Sequence, residues 1–190
     1  MDDLLNVHKT FEKIIAIGAA IQYKEFEGCV FKQCDFSNSD FANSTFSDCE
    51  FINCNVSMLQ VNNTAFQSVA FKNCKVLGIQ FHQCSDFLFA VNFEDCILDF
   101  ASFSGKKMPK TKFISCSLKE TVFVGTNLTS AVFDQCNLEN AAFNETQLAG
   151  ADLTTAFHYK INPEFNPMKK AKFSSSGIIG LLEQYDIKIE

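Results

Sequence analysis

The residues of this chain best equipped for chemistry are nine cysteines and three histidines. A zinc site would bring Cys and His together at ligand spacing, and a thiol nucleophile would need a base beside it. Cys34, Cys54 and Cys74 recur every twenty residues, as do Cys96, Cys116 and Cys136. Stacked at strand spacing, with Cα atoms about 4.8 Å apart, such thiols would fall within disulfide range. No histidine accompanies either set, however, and His8, His82 and His158 are scattered. His82-Gln83-Cys84 is read as a surface imidazole beside an inward thiol. The chain has no G-x-S-x-G, P-loop, G-x-G-x-x-G or H-E-x-x-H motif. The expectation is therefore a protein without catalytic residues, metal or cofactor, in which cysteine serves as a small buried hydrophobe exchangeable with Ala, Ser or Val.

The element that positions these cysteines is a repeat of five. Phe26, Phe31, Phe36, Phe41, Phe46, Phe51, Val56, Val61, Phe66, Phe71, Val76 and Phe81 form one apolar series. After a slip of two residues a second runs through Leu88, Phe93, Leu98, Phe103, Met108, Phe113, Leu118, Phe123, Leu128, Phe133, Leu138, Phe143, Leu148 and Leu153. Two residues before each of these 26 centres, 21 positions hold Ala, Cys, Ser, Thr or Val, eight of the nine cysteines among them. A period of five suits neither a helix nor a plain strand. It suits a chain that turns a corner every five residues, points two side chains inward and closes a four-sided coil every twenty. In the second series Phe recurs every ten residues, so two opposite faces should supply aromatic stacks and the other two aliphatic ones.

Ala151-Asp152-Leu153, Cys136-Asn137-Leu138, Cys34-Asp35-Phe36 and Ser39-Asp40-Phe41 carry a further resemblance. The chain resembles the pentapeptide-repeat proteins, whose unit is written A(D/N)LXX with Phe often replacing Leu. The resemblance spans residues 26–158 and implies an all-β fold, a right-handed quadrilateral parallel β-helix with a short C-terminal helix. Residues 1–25 would be an N-terminal cap, either an irregular first coil or an amphipathic helix. Residues 159–190 would be a C-terminal capping and dimerisation module. There Ser174-Ser175-Ser176 reads as a helix N-cap before an apolar run, and Asp186–Glu190 alternates like a short strand. This tail is similar to that of the quinolone-resistance (Qnr-type) members, which implies a homodimer joined through Ile178, Ile179, Leu181 and Leu182.

Composition excludes other classes. Apolar residues make up 47% and charged residues 20%, too hydrophobic for a disordered chain. Sixteen lysines, no arginine and a net charge of −6 argue against direct binding of nucleic acid. The longest strongly apolar run, residues 14–21, is too short to cross a bilayer, and no basic region precedes it. A cytoplasmic protein without disulfides or membrane contact is expected.

The insertion between the series, Cys84-Ser85-Asp86-Phe87-Leu88, should protrude as a bulge. Lys106 occupies a small-residue position, where a distorted coil with its lysines outside is expected. The whole net charge of −6 falls within residues 26–158. Folded on a twenty-residue coil, Glu94, Asp95, Asp134 and Asp152 share one face and Asp99, Glu120 and Glu139 its neighbour, with Lys112 and Lys119 among them. Such an acidic edge matches what the resemblance to Qnr-type proteins implies: mimicry of duplex DNA toward a type II topoisomerase, DNA gyrase or topoisomerase IV, with protection from quinolones. The alternative is a general protein-interaction scaffold. A core of about 31 Å would correspond to about 18 DNA charges, roughly three times the charge available.

Overall fold

Every fifth residue from His8 to Gly78, and again from Asp95 to Gly150, has a positive φ. These are the corners of the coil, and they explain the period: three residues of extended chain, then a left-handed turn. Gly, Asn and Asp fill many of the corners because they enter that region at least cost. In the computed structural model, which describes residues 3–185 and 187–188, the chain winds into a parallel β-solenoid of about eight turns. It is the all-β coil expected from the repeat.

One face is a four-stranded sheet of β1 (Leu5–Val7), β3 (Glu25–Glu27), β5 (Thr45–Ser47) and β7 (Ala65–Gln67). The next is a nine-stranded sheet that runs the length of the rod. It comprises β2 (Thr10–Glu12), β4 (Val30–Lys32), β6 (Glu50–Ile52), β8 (Val69–Lys72), β9 (Val91–Glu94), β10 (Lys112–Ile114), β11 (Val132–Asp134), β12 (Asp152–Leu153) and β13 (Lys172–Phe173). Single bridges such as Ile15↔Asp35, Asp35↔Asn55, Ala20↔Asp40 and Asp40↔Gln60 form the other two faces. The first 25 residues contribute β1 and β2, paired in parallel with β3 and β4. They contain no helix among the described residues.

All of the 26 predicted centres are buried except Leu88 and the partly buried Phe143. On the nine-stranded face Phe31, Phe51, Phe71, Phe93, Phe113 and Phe133 stack with ring centroids 4.6–5.4 Å apart. The opposite face stacks Phe81, Phe103, Phe123 and Phe143 at 4.7–5.5 Å. The two columns meet edge to face across the interior, as Phe93 does with Phe103 at 5.9 Å and 69°. Such geometry sets the positive ring edge against the negative face. Leu98, Leu118 and Leu138 fill a third side, and Met108, Leu128 and Leu148 the fourth, all buried.

All nine cysteines are free and buried. Cys34, Cys54, Cys74, Cys96, Cys116 and Cys136 make a single column, because the ladder pairs residue 75 with 97 across the insertion. Their small size is half of the reason for the slot. The other half is that they donate: the thiols of Cys54 and Cys74 reach the carbonyls of Phe31 and Phe51 at 3.3 Å. Thr126 and Thr146 do the same to Phe103 and Phe123 at 2.8 Å. A thiol or hydroxyl thus adds a donor to an inward carbonyl, which in the Phe103 and Phe123 turns also accepts the Lys106 and Thr126 amides. Burial pushes the Cys49 thiol up to about 12 and that of Cys84 higher, so both stay protonated.

The insertion corrects two expectations. Leu88 is 64% exposed at a positive φ, and Phe89 takes the inward place assigned to it. Phe87 and Leu88 form the protruding bulge. Lys106 points inward rather than out, with only 2% exposure. Its Nζ donates to the Cys84 carbonyl at 2.5 Å, meets the exposed Asp86 carboxylate at 2.7 Å and sits 5.1 Å over the Phe89 ring. The lysine stem runs through the interior beside the insertion, and its buried ammonium bridges the Cys84 carbonyl and the Asp86 carboxylate. Lys106→Ala is expected to lower stability by about 2–3 kcal/mol through a cavity and an orphaned carbonyl. Asp86→Asn should cost less, about 1–2 kcal/mol, because Asn can still accept from the ammonium but no longer supplies the counter-charge of this buried lysine. Urea unfolding of both variants checks the contrast.

Candidate functional site

Among the described residues no cluster of three or more His, Cys, Asp or Glu is arranged to hold a metal. His82 and His158 lie exposed in separate turns, and no helix is long and apolar enough to cross a membrane.

On the outer side of the nine-stranded sheet, the in-register row is Glu12, Lys32, Ile52, Lys72, Glu94, Ile114 and Asp134. The adjoining row ends Val132, Asp152, Lys172. Acids therefore alternate with lysines and aliphatics along this face. Asp134 accepts from the Thr155 hydroxyl at 2.7 Å. Asp152 accepts from the Thr154 hydroxyl and amide at 2.7 and 3.1 Å and pairs with Lys172 at 3.2 Å. Those contacts, the Thr154 hydroxyl first, hold its carboxyl below the usual range. Lys172 escaped the reading because its strand, β13, lies beyond the regular repeat.

The neighbouring edge behaves similarly. Asp99, Lys119 and Glu139 succeed one another on consecutive coils. Asp99 accepts from the Ser117 hydroxyl at 2.6 Å and the Lys119 amide at 3.0 Å, and Lys119 Nζ pairs with Glu139 at 3.0 Å. The Lys119 hydrogen bond lowers the Glu139 carboxyl and the same bond raises the ammonium. Three of the seven acids differ. The side chains of Glu94, Asp95 and Glu120 make no hydrogen bond or ion pair among the described residues, and Asp95 and Glu120 stand at corners with φ near 52° and 54°.

The Asp or Asn one place before each centre has a structural duty that composition hides. Asp35, Asp40, Asn55, Asn127, Asn137 and Asp152 each accept from the backbone N–H two residues on, at 2.8–3.1 Å. These Asx turns pre-shape the next corner. A repeat acid is therefore not automatically a free charge.

The tail folds back on its own rod. Gly177–Leu181 and Glu183–Tyr185 form the short C-terminal helix as two 3₁₀ turns, and Ser174 Oγ accepts from the Gly177 amide at 2.9 Å. The Ile161 amide donates to the Gly180 carbonyl at 3.0 Å, and Lys160 pairs with Glu183 at 2.7 Å. Of the four residues assigned to a dimer interface, Leu181 is buried against the protein's own core and Leu182 is half-buried. Ile178 and Ile179 are exposed. The terminal strand expected from Asp186 falls largely outside the described residues. Gly177 and Gly180 lie over the Tyr159 ring, and a Cβ on Gly180 would come within 2.1 Å of the Tyr159 carbonyl oxygen. Gly180→Ala should accordingly cost about 1–3 kcal/mol. Faster proteolysis of the tail, with the strand signal in circular dichroism retained, is the expected result.

Comparison with known families and structures follows this geometry closely. A profile described as a pentapeptide repeat region matches residues 24–103, and one for pentapeptide repeats in eight copies matches 110–141 and 121–156. Among solved structures, full-length QnrB1, a plasmid-mediated fluoroquinolone resistance protein, is 17% identical. The match covers 94% of this chain and 100% of that one at a TM-score of 0.51. HetL, a pentapeptide repeat protein involved in heterocyst differentiation regulation from the cyanobacterium Nostoc sp. strain PCC 7120, is 12% identical. That match covers 88% and 87% of the two chains, also at a TM-score of 0.51. At these identities the likeness is one of fold. No curated protein matches the chain.

Proposed function

The chain belongs to the pentapeptide-repeat family, and from that premise we propose that it is a non-enzymatic binding rod that engages a type II topoisomerase, DNA gyrase or topoisomerase IV, as a mimic of duplex DNA, and so lessens quinolone action. The observation that carries this reading is the set of uncompensated carboxylates Glu94, Asp95 and Glu120 on adjoining faces of a rod that shares its fold with QnrB1. Rigidity favours such binding, because a preformed surface has little ordering entropy to lose. Acids already held by Lys119, Lys172 or Thr154 contribute less, since each would have to exchange a partner.

A second reading, a general interaction scaffold, draws support from those same pairings and from the net charge of −6. The two readings differ in one assay, supercoiling by purified gyrase with and without a fluoroquinolone. Mimicry predicts inhibition or drug protection at micromolar protein, lost in the triple variant Glu94→Lys, Asp95→Lys, Glu120→Lys. Because these side chains have no partners, the variant should melt within about 1 kcal/mol of the parent. No effect on supercoiling and no binding to gyrase would leave the scaffold.

In this reading the rod works in the cytoplasm, where nine unpaired thiols suit a reducing medium. Two copies meet tail to tail through Ile178 and Ile179, with Leu182 at the margin. Leu181 supports that surface from inside its own protomer. Light scattering should give twice the chain mass, and the double variant Ile178→Asp, Ile179→Asp the mass of one chain with the coil intact. A monomeric parent would refute the assembly.

A further inference from the structure

One side of the rod carries charge of the opposite sign. The side built on Met108, Leu128 and Leu148 lies across the interior from that of Leu98, Leu118 and Leu138, whose corners hold Asp95 and Glu120. Its register is fixed from coil to coil. Lys107 bridges to Asn127 and Asn127 to Gln147, while the Lys110, Ser130 and Gly150 amides donate to the Thr129, Ala149 and Lys169 carbonyls at 2.9 Å. Residues 107–110, 127–130, 147–150 and 167–170 therefore stack on one side, and they include Lys107, Lys110, Lys169 and Lys170 but no acid. All four lysines are exposed, and none of their ammonium groups makes a hydrogen bond or ion pair among the described residues. The two coils between the pairs are uncharged. The pairs thus stand three coils apart, about 14 Å at strand spacing.

A socket of about 210 Å³ opens beside the first pair, lined by the buried Phe89, Val91 and Met108 together with Pro109 and Lys110. It is smaller than a drug-sized site and has room for one apolar side chain. The exposed Phe87 and Leu88 of the bulge immediately precede it in the chain. We propose that this face binds a short acidic segment of a partner protein, laid along the rod in extended form with one apolar side chain in the socket. Carboxylates next to that anchor meet Lys107 and Lys110. Carboxylates four residues further on, about 14 Å away in an extended chain, meet Lys169 and Lys170. A lipid surface or a nucleic-acid strand would meet the lysines without using the socket, and the chain has no arginine to fork onto phosphate. The acids assigned to topoisomerase binding and the C-terminal isoleucines take no part, so this proposal and that reading can fail separately.

Ligand-observed ¹⁹F NMR on the full chain tests this with the acetylated peptide Phe-Asp-Ser-Gly-Ser-Asp-Asp, its ring fluorinated at the para position. The double variant Lys110→Gln, Lys170→Gln should weaken binding by about tenfold, roughly threefold for each exposed ion pair lost. Lys13→Gln removes an ammonium of the first coil that is equally unpartnered among the described residues, and it should leave binding unchanged. As an unlabelled competitor, the same peptide with Ala in place of Phe should be about fivefold weaker than its parent, because it leaves the socket empty. Equal losses in the Lys13→Gln and double variants would mean attraction by charge alone and overturn the proposal. So would an Ala peptide that competes as well as its parent. No binding at millimolar peptide, or tighter binding of phosphatidylserine vesicles or of oligothymidylate than of the peptide, overturns it as well.

Discussion

Apart from short corner bonds, the backbone of each coil finds its hydrogen bonds in the coils on either side, about twenty residues away. The Asp35 amide donates to the Ile14 carbonyl while the Ala16 amide donates to that of Asp35, and the same exchange repeats along the rod. Buried peptide groups without partners are too costly to keep. Each turn must therefore match its neighbours in length, and everything else in the molecule accommodates that demand. The corner residues accept a positive φ to keep turns equal. Where two residues are added, the surplus is expelled as the Phe87-Leu88 bulge, and the ladder resumes with Phe71 opposite Phe93.

Interior chemistry follows from the same constraint. Stacked coils place like residues above one another, so a Phe at one centre favours a Phe twenty residues on, and columns of rings result. The small slot takes Cys, Ser and Thr, which can donate to an inward carbonyl, and also Ala and Val, so size is its first requirement. Lys106 takes the slot only beside the bulge, where the Cys84 carbonyl and the extra space suit a long stem with a charged end. Neither the aromatic nor the thiol content signals recognition or redox work; both are consequences of stacking.

Stacking also decides which charges remain available to a partner. Residues in register on consecutive coils are near enough to pair, and lysines at 119 and 172 neutralise acids that look clustered in the sequence. Asx turns engage others. What remains for binding is a small set at corners and strand ends, backed by a core that does not yield. At the far end the tail covers the last coil through two glycines laid over Tyr159, leaving a groove and an exposed isoleucine pair.

The five-residue period was legible from residue types alone, because burial at a fixed spacing leaves its mark on every centre. It determined the coil, the inward columns and the site of the insertion. The partners of charged side chains were not legible, since they depend on residues twenty or more positions away and on rotamers. Sequence could place Glu139 and Asp152 on neighbouring faces but not show them bound to Lys119 and Lys172. It could mark Leu88 and Lys106 as out of pattern, yet only packing decided that Phe89 enters the core and that the lysine turns inward. Local repetition thus determined the architecture, and the tertiary structure decided the surface, because a period records what each residue does alike and function rests on where they differ.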